Sequence, residues 1–437
     1  MRKLIHSVAY IDEQGNTIER GHVIINDERI EHIASGDAVE GAQGFAEVID
    51  GAGHLLLPGL VNAHGHAAMS LLRGFADDLP LQTWLSELIW PAEDLLTPED
   101  IAVGTNLAML EMMETGTTTF TDMYFAMDRV AEAVIAAGMR GVLGRGMVAP
   151  GGKAEATLAE SRAFIRDYHL AGEGRIHTTW APHAPYTCSA DFLKKVIAEA
   201  EALNAPIQIH VSETKREVDD SYEQYGVSPV QWLSDLGLFD LPTIAAHCVH
   251  VDEGDIALMR TKNVHVAHNP GSNLKLGSGV APLVALLDAG VRVGVGTDGA
   301  SSNNKLDMME ELRLVAMLHK GVNRSATAID ALTALRLVTS ASAQALFLEP
   351  GLGTLQKGAP ADLILVETTG PRYFPRHNLL SHLVYSSHAG DVTDVFVAGK
   401  QLYKNRQHVT IDKERILADA ERVRAKFQPV KDRYRLK

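Results

Sequence analysis

The sequence predicts an α/β protein: a (β/α)8 barrel of the TIM type, with a small β-sandwich domain formed by both chain ends. Three observations carry this. From about Pro58 to Phe347, short strand-like runs alternate with helical stretches, and eight strands can be counted. Both ends of the chain show instead brief alternating apolar runs broken by Gly-containing turns. Nearly every strand of the middle region also ends in a polar residue able to bind metal or carry a proton, which is where such barrels build their active sites.

Taken in order, residues 3–57 read as short strands ("LIHSVAYID", "GHVIINDERIEHIA", "AEVIDGAG"), the first part of the small domain over residues 1–57. The barrel, residues 58–347, follows with "GLVNAHGH", "TTTFTDMY", "RGVLGRGM", "IHTTWAPHAPY", "PIQIHVSE", "TIAAHCVH", "NVHVAHNP" and "VRVGVGTDG". Between these lie helical patterns such as "AVGTNLAMLEMMETG", "ADFLKKVIAEAEALN" and "APLVALLDAG". The strand texture returns in "ADLILVE" and "VTDVFVAGKQLY". From about Ile411 a segment rich in Ala, Arg, Lys and Glu predicts a closing amphipathic helix, so residues 348–437 complete the small domain.

Composition is ordinary for a globular protein, 46% hydrophobic and 22% charged. Forty Lys and Arg against 55 Asp and Glu give a net charge of −15 with no basic stripe, which argues against nucleic-acid binding. Two cysteines, Cys188 and Cys248, make no disulfide framework and fit a reducing compartment. The first residues reach Asp12 and Glu13 before any apolar signal core develops, and no run approaches the roughly 18 apolar residues of a membrane span. The expectation is a cytoplasmic protein without membrane association.

The strand ends carry the chemistry. His64 and His66 follow the first strand with a spacing of two, which on extended chain points both rings the same way. His210 ends the fifth strand and is followed by Glu213; His247 ends the sixth, His268 the seventh and Asp298 the eighth. His64, His66, His210 and Asp298, with an open position for water, form a nitrogen and carboxylate donor set that suits Zn²⁺, Fe²⁺ being the other ion it admits. Two-metal barrel hydrolases need a bridging anion, often a lysine on the fourth strand. That strand has none, so one metal is expected. Glu213 lies three residues beyond His210, on the opposite face of a straight strand, and serves as a non-ligating proton shuttle only if the chain bends after His210. The run Gly294-x-Gly296-x-x-Gly299 matches a dinucleotide fingerprint in form alone. It follows the last strand rather than the first and lacks the acidic partner about twenty residues on, so the glycines serve close packing and the exposure of Asp298.

With "PGLVNAHGH", "HVSE", "AAHCVH", "HNPGSNLKLGSG" and "GTDGASSNN", the chain resembles the amidohydrolase superfamily over essentially its whole length. Within it, the motifs look like the family of 5-methylthioadenosine/S-adenosylhomocysteine deaminases. The resemblance implies further roles: Glu93 binding ribose hydroxyls, Trp84 packing on the nucleoside, His183 hydrogen-bonding substrate, and Arg145 meeting the sugar side or a homocysteine carboxylate. A second basic residue expected after the third strand is represented only by Lys153, which favours 5-methylthioadenosine over S-adenosylhomocysteine. The implied reaction is hydrolytic deamination at C6 of the adenine ring, with His247 and Asp298 helping water lose its proton and Glu213 protonating N1. The implied partner is a small purine nucleoside, and the implied assembly a homodimer or homotetramer. Two rival readings stand beside this one. An aminohydrolase or chlorohydrolase of another heterocycle, guanine or a triazine, would share the metal site but have no ribose for Glu93. A catalytically dead barrel kept for binding would have lost ligands that are all present here.

Overall fold

The protein is described by a computed structural model covering residues 1–36, 44–148 and 154–435. Lys153 falls outside these described residues. Eight strands, Leu60–Asn62, Thr117–Tyr124, Arg140–Met147, Ile176–Pro182, Ile207–Val211, Thr243–His247, His265–His268 and Val293–Val295, form one sheet in sequential order. These are the eight read from the sequence. The pairings of the third through eighth strands are parallel. Closure comes from single backbone bonds beyond the ladders: Ala63 N–H donates to the Val295 carbonyl (2.9 Å) and Asp298 N–H to the His64 carbonyl (3.0 Å). The strands are buried almost throughout, as parallel strands covered by helices must be.

Gly296 makes that closure possible. A Cβ there would lie 2.6 Å from the His64 amide nitrogen and 2.8 Å from its carbonyl oxygen, so only glycine lets the eighth strand's extension reach the first.

Both chain ends join in a nine-stranded mixed sheet. Its main path runs Gln407–His408, Lys400–Lys404, Val392–Val397, Leu363–Glu367, His54–Pro58, Arg2–Ile11, Thr17–Asn26, Arg29–Ser35, and Glu47–Asp50 pairs with Arg2–Ile11. The union of the two ends is the antiparallel pairing of Leu363–Glu367 with His54–Pro58, Leu365 opposite Leu56. Strands from opposite ends of this path share one apolar cluster: Ile30, Val23, Ile5, Leu56, Leu365 and Phe396 are each at most 1% exposed. One continuous sheet therefore encloses a sandwich-like core.

The chain separates into two compact units, one of Met1–Asn62, Leu110–Thr119 and Asp307–Ile411, the other of Ala63–Met109, Phe120–Leu306 and Asp412–Lys437. The closing helices, Lys413–Arg424 and Gln428–Arg435, belong to the second unit, with the barrel's strand ends. Among the described residues no helix is long and apolar enough to cross a membrane. Cys188 and Cys248 are both buried free thiols.

Candidate active site

Beyond Asn62 the chain leaves strand geometry, and the imidazoles of His64 and His66 meet edge to face, ring centroids 4.9 Å apart. The two rings expected to act together do so, although the backbone that carries them has already left the strand. His66 Nδ1–H donates to the Met123 carbonyl and His210 Nδ1–H to the His183 carbonyl, both at 2.7 Å. These bonds fix each ring and turn each Nε2 inward, as outer partners of metal-binding histidines do. The two Nε2 atoms then face one another at 3.3 Å, lone pair to lone pair, an arrangement that a cation between them stabilises. Nitrogens about 2.0–2.1 Å from a tetrahedral ion lie roughly 3.3 Å apart.

Asp298 completes the set. Its Oδ1 lies 3.2 Å from His66 Nε2 and 3.6 Å from His64 Nε2. Its Oδ2 accepts the hydroxyls of Ser272 (2.6 Å) and Ser302 (2.8 Å), so one oxygen is anchored and the other presented. Burial alone would raise this carboxyl, but His66, His247 and His64 overcome it and hold Asp298 well below the usual carboxylate range. Burial likewise opposes charge on His66, yet Asp298 raises it to about 9; positive charge is favoured between them. His64, His66 and Asp298 form one group with donor atoms within 4.8 Å, and His64, His210 and His247 another. The donor set therefore fits one divalent metal ion.

Around this centre stand further titratable groups. His247 Nδ1–H donates to Asn273 Oδ1 (2.8 Å), leaving Nε2 directed at Glu213, whose Oε2 is 3.9 Å away. Glu213 reaches the mouth because the chain turns: the fifth strand ends at Val211 and Ser212 adopts a φ of +52°. His247 (+74°) and Asp298 (+63°) also occupy the left-handed region, which costs a non-glycine residue of order 1–3 kcal/mol and clusters at functional sites. Glu213 accepts the Ser278 hydroxyl at 3.3 Å, and burial, assisted by Asp298, raises its pKa. Behind it, Glu217 accepts the N–H groups of both Ser212 and Glu213, and burial pushes its pKa up to about 7.

A cavity of about 740 Å³ of empty space opens above these groups. One wall comes from a π-helical turn, Trp84–Ile89, running into the short helix Trp90–Glu93. Trp84 is buried, lines the cavity and donates its indole N–H to the Ala76 carbonyl (3.0 Å). Glu93 ends its helix rather than starting it, accepts the Tyr124 hydroxyl at 2.7 Å, and is raised by burial to about 7. His183 also lines the cavity, its ring centroid 4.8 Å from that of His210 and its Nδ1 3.0 Å from Thr187 Oγ1, and burial beside His66 and His247 lowers it to about 4, so it is neutral at neutral pH.

Arg145 is placed differently. Its neighbours Gly144 and Gly146 face inward: a Cβ at Gly144 would strike Gln208 and Thr179, and Gly146 lines the cavity. The period of two therefore sends Arg145 toward the outer helices. Its guanidinium pairs with Glu160 at 2.7 and 2.9 Å, donates to the Gly146 carbonyl at 2.6 Å and lies over the Phe125 ring, 6.0 Å from its centroid; Gly146 and Phe125 both line the cavity, so Arg145 stands at its edge. Among the described residues that line the cavity there is no Lys or Arg. His268 is buried at the end of the seventh strand, also outside the lining.

Several contributors escape a reading by strand ends alone. Ser272 and Asn273 sit in "NPGSN", where a turn-rich motif gives no hint of which side chain each orients. Glu217 does leave a signal, Thr214-x-x-Glu217, the spacing of a capping box.

The chain matches the Amidohydrolase family model over residues 55–402. It is 50% identical over 374 residues, 86% of each chain, to a 5-methylthioadenosine/S-adenosylhomocysteine deaminase of Pelotomaculum thermopropionicum. A protein of the same name from Desulforudis audaxviator is 47% identical over 422 residues, covering 97% of this chain and 98% of its own. Among solved structures, an adenosine deaminase from Xanthomonas campestris with bound zinc superposes with a TM-score of 0.91 at 36% identity, covering 98% of both chains. Triazine hydrolase, at 24% identity and a TM-score of 0.89, shares the fold. The chain belongs to the amidohydrolase family.

Proposed function

We propose that this amidohydrolase removes the 6-amino group from the adenine ring of a nucleoside, 5-methylthioadenosine foremost and S-adenosylhomocysteine or adenosine next, releasing ammonia and the inosine analogue. The observation that carries the reading is the pairing of two elements in one cavity: a carboxylate, Glu93, set apart from the metal ligands in an apolar wall, and the proton-carrying pair Glu213 and His247 beside them. A ribose diol needs such a separate acceptor. A guanine or triazine ring does not. The similarity to relatives named as deaminases of these nucleosides supports the same choice.

His64, His66, His210 and Asp298 would hold the metal, with zinc the ion best suited to this donor set. When bound, such an ion lowers the pKa of water toward 7 and polarises the atom under attack. The chain's own groups do the rest. His247 Nε2, the acceptor in the tautomer that donates Nδ1–H to Asn273 Oδ1, accepts a proton from the attacking water beside Asp298. Glu213, whose pKa burial raises, delivers a proton to N1 as oxygen adds at C6; the proton taken from water then passes to the departing amino group, and the C6 hydroxyl proton returns to Glu213 as ammonia leaves. Neutral His183 offers Nε2 to the substrate, while Glu93 accepts the ribose hydroxyls and Trp84 packs on the nucleoside. With the guanidinium at the cavity's edge, Arg145, already paired with Glu160, an uncharged alkylthio tail is accommodated better than a homocysteine carboxylate.

Ammonia release measured with 5-methylthioadenosine, S-adenosylhomocysteine, adenosine, guanine and a triazine tests the reading. The expected order begins with 5-methylthioadenosine; a preference for guanine or a triazine contradicts it.

A further inference from the structure

Glu217 takes no part in the reaction above, yet it is a carboxylate only 7% exposed, directly behind Glu213. Its own N–H donates to Thr214 Oγ1 (3.2 Å), which sets it in the first turn of the helix Lys215–Tyr225. In a capping box the side chain at this position returns to the N-cap amide. Here it reaches past Thr214 instead. Oε1 accepts Ser212 N–H at 2.7 Å and Oε2 accepts Glu213 N–H at 2.9 Å. The two amides span the peptide at which the chain leaves the strand, and Ser212 there holds a φ of +52°, which L residues rarely adopt. The Ser212 carbonyl is also engaged, by Val249 N–H (3.0 Å) and His250 N–H (2.9 Å). Without this turn Glu213 would follow strand alternation, away from the face that carries His210.

We propose that Glu217 is a positioning residue: by binding two consecutive amides it holds Ser212 left-handed and thereby aims the Glu213 carboxylate at the substrate ring. This rests on the reading of Glu213 as the proton carrier. Glutamine cannot replace it, because its NH₂ end would face an amide N–H in place of an acceptor.

The test uses the metal-loaded enzyme with 5-methylthioadenosine. Glu217→Gln is expected to lower kcat about 10–100-fold, the loss typical of removing an outer partner of a catalytic group, with metal content unchanged. KM should stay within about 3-fold, since ground-state binding is not touched. In the double variant with Glu213→Gln, turnover should be no lower than with Glu213→Gln alone, because Glu217 acts only through that side chain. Ser212→Gly added to Glu217→Gln should recover part of the lost kcat, as glycine adopts positive φ freely. On protein without substrate, amide exchange across residues 211–214 should quicken in Glu217→Gln. Should that variant not fold, Glu217→Asp, too short to span both amides, is read in the same way. Losses that multiply in the double variant, or unchanged exchange, overturn the proposal. A wild-type enzyme that deaminates none of the nucleosides defeats the functional reading instead, and the exchange result still decides whether Glu217 holds the turn.

Discussion

The cavity has two unlike sides. Its floor, at the strand ends, is a dense polar network in which nearly every ring and carboxylate is fixed by a second hydrogen bond, and three residues accept left-handed backbone to reach their places. Its wall, residues 81–93, presents apolar side chains around the π-helical turn Trp84–Ile89, with Glu93 as its acidic group toward the cavity. On the proposed reading, chemistry belongs to the floor and recognition to the wall. Floor variants should change turnover; wall variants should change the apparent affinity for nucleosides.

The largest effect is expected on the floor. His210→Ala removes a ligand, so metal per chain, measured by elemental analysis, should fall well below one, with turnover lost alongside it. Full metal content would show that His247, close to both His64 and His210, is the ligand instead. Next comes Glu213→Gln: metal retained, kcat reduced about 10²–10⁴-fold. Near-normal turnover would remove Glu213 from the mechanism.

On the wall, Glu93→Gln should raise KM for 5-methylthioadenosine about 10–100-fold, the scale of a hydrogen bond to a charged group, with a smaller change in kcat. Unchanged KM would erase the distinction between floor and wall. Glu93 also predicts a pH dependence. Its carboxyl, raised by burial to about 7, offers both oxygens as acceptors to a diol only when ionised, so KM for the nucleoside should rise as pH falls below about 7. That rise should be absent in Glu93→Gln. The smallest effect is Trp84→Phe, which keeps an aromatic face but loses the bond to Ala76; a few-fold increase in KM is expected, with kcat unchanged.

Floor and wall are not equally legible in the sequence. The eight strands announce themselves because buried parallel strands are continuous apolar runs, and ligands placed at their ends are visible as soon as the runs are aligned. His64, His66, His210, His247 and Asp298 stand out in this way. Glu213 requires a bend that strand periodicity cannot supply. The bend comes from Ser212 and from Glu217, whose capping spacing in the sequence does not tell which amide it will bind. The wall is recognisable only by resemblance, since π-helical backbone has no periodic signature of its own. Arg145 is known from resemblance as well, and strand alternation between Gly144 and Gly146 sets it at the cavity's edge, paired with Glu160 and lying over the Phe125 ring.

Turnover of 5-methylthioadenosine in oxygen-18 water, followed by mass analysis of the product, tests the central claim most directly. Hydrolytic deamination predicts the inosine analogue with one heavy oxygen at C6 for every ammonia released. Recovery of unaltered adenine freed from its sugar, or of a product without the label, would contradict it.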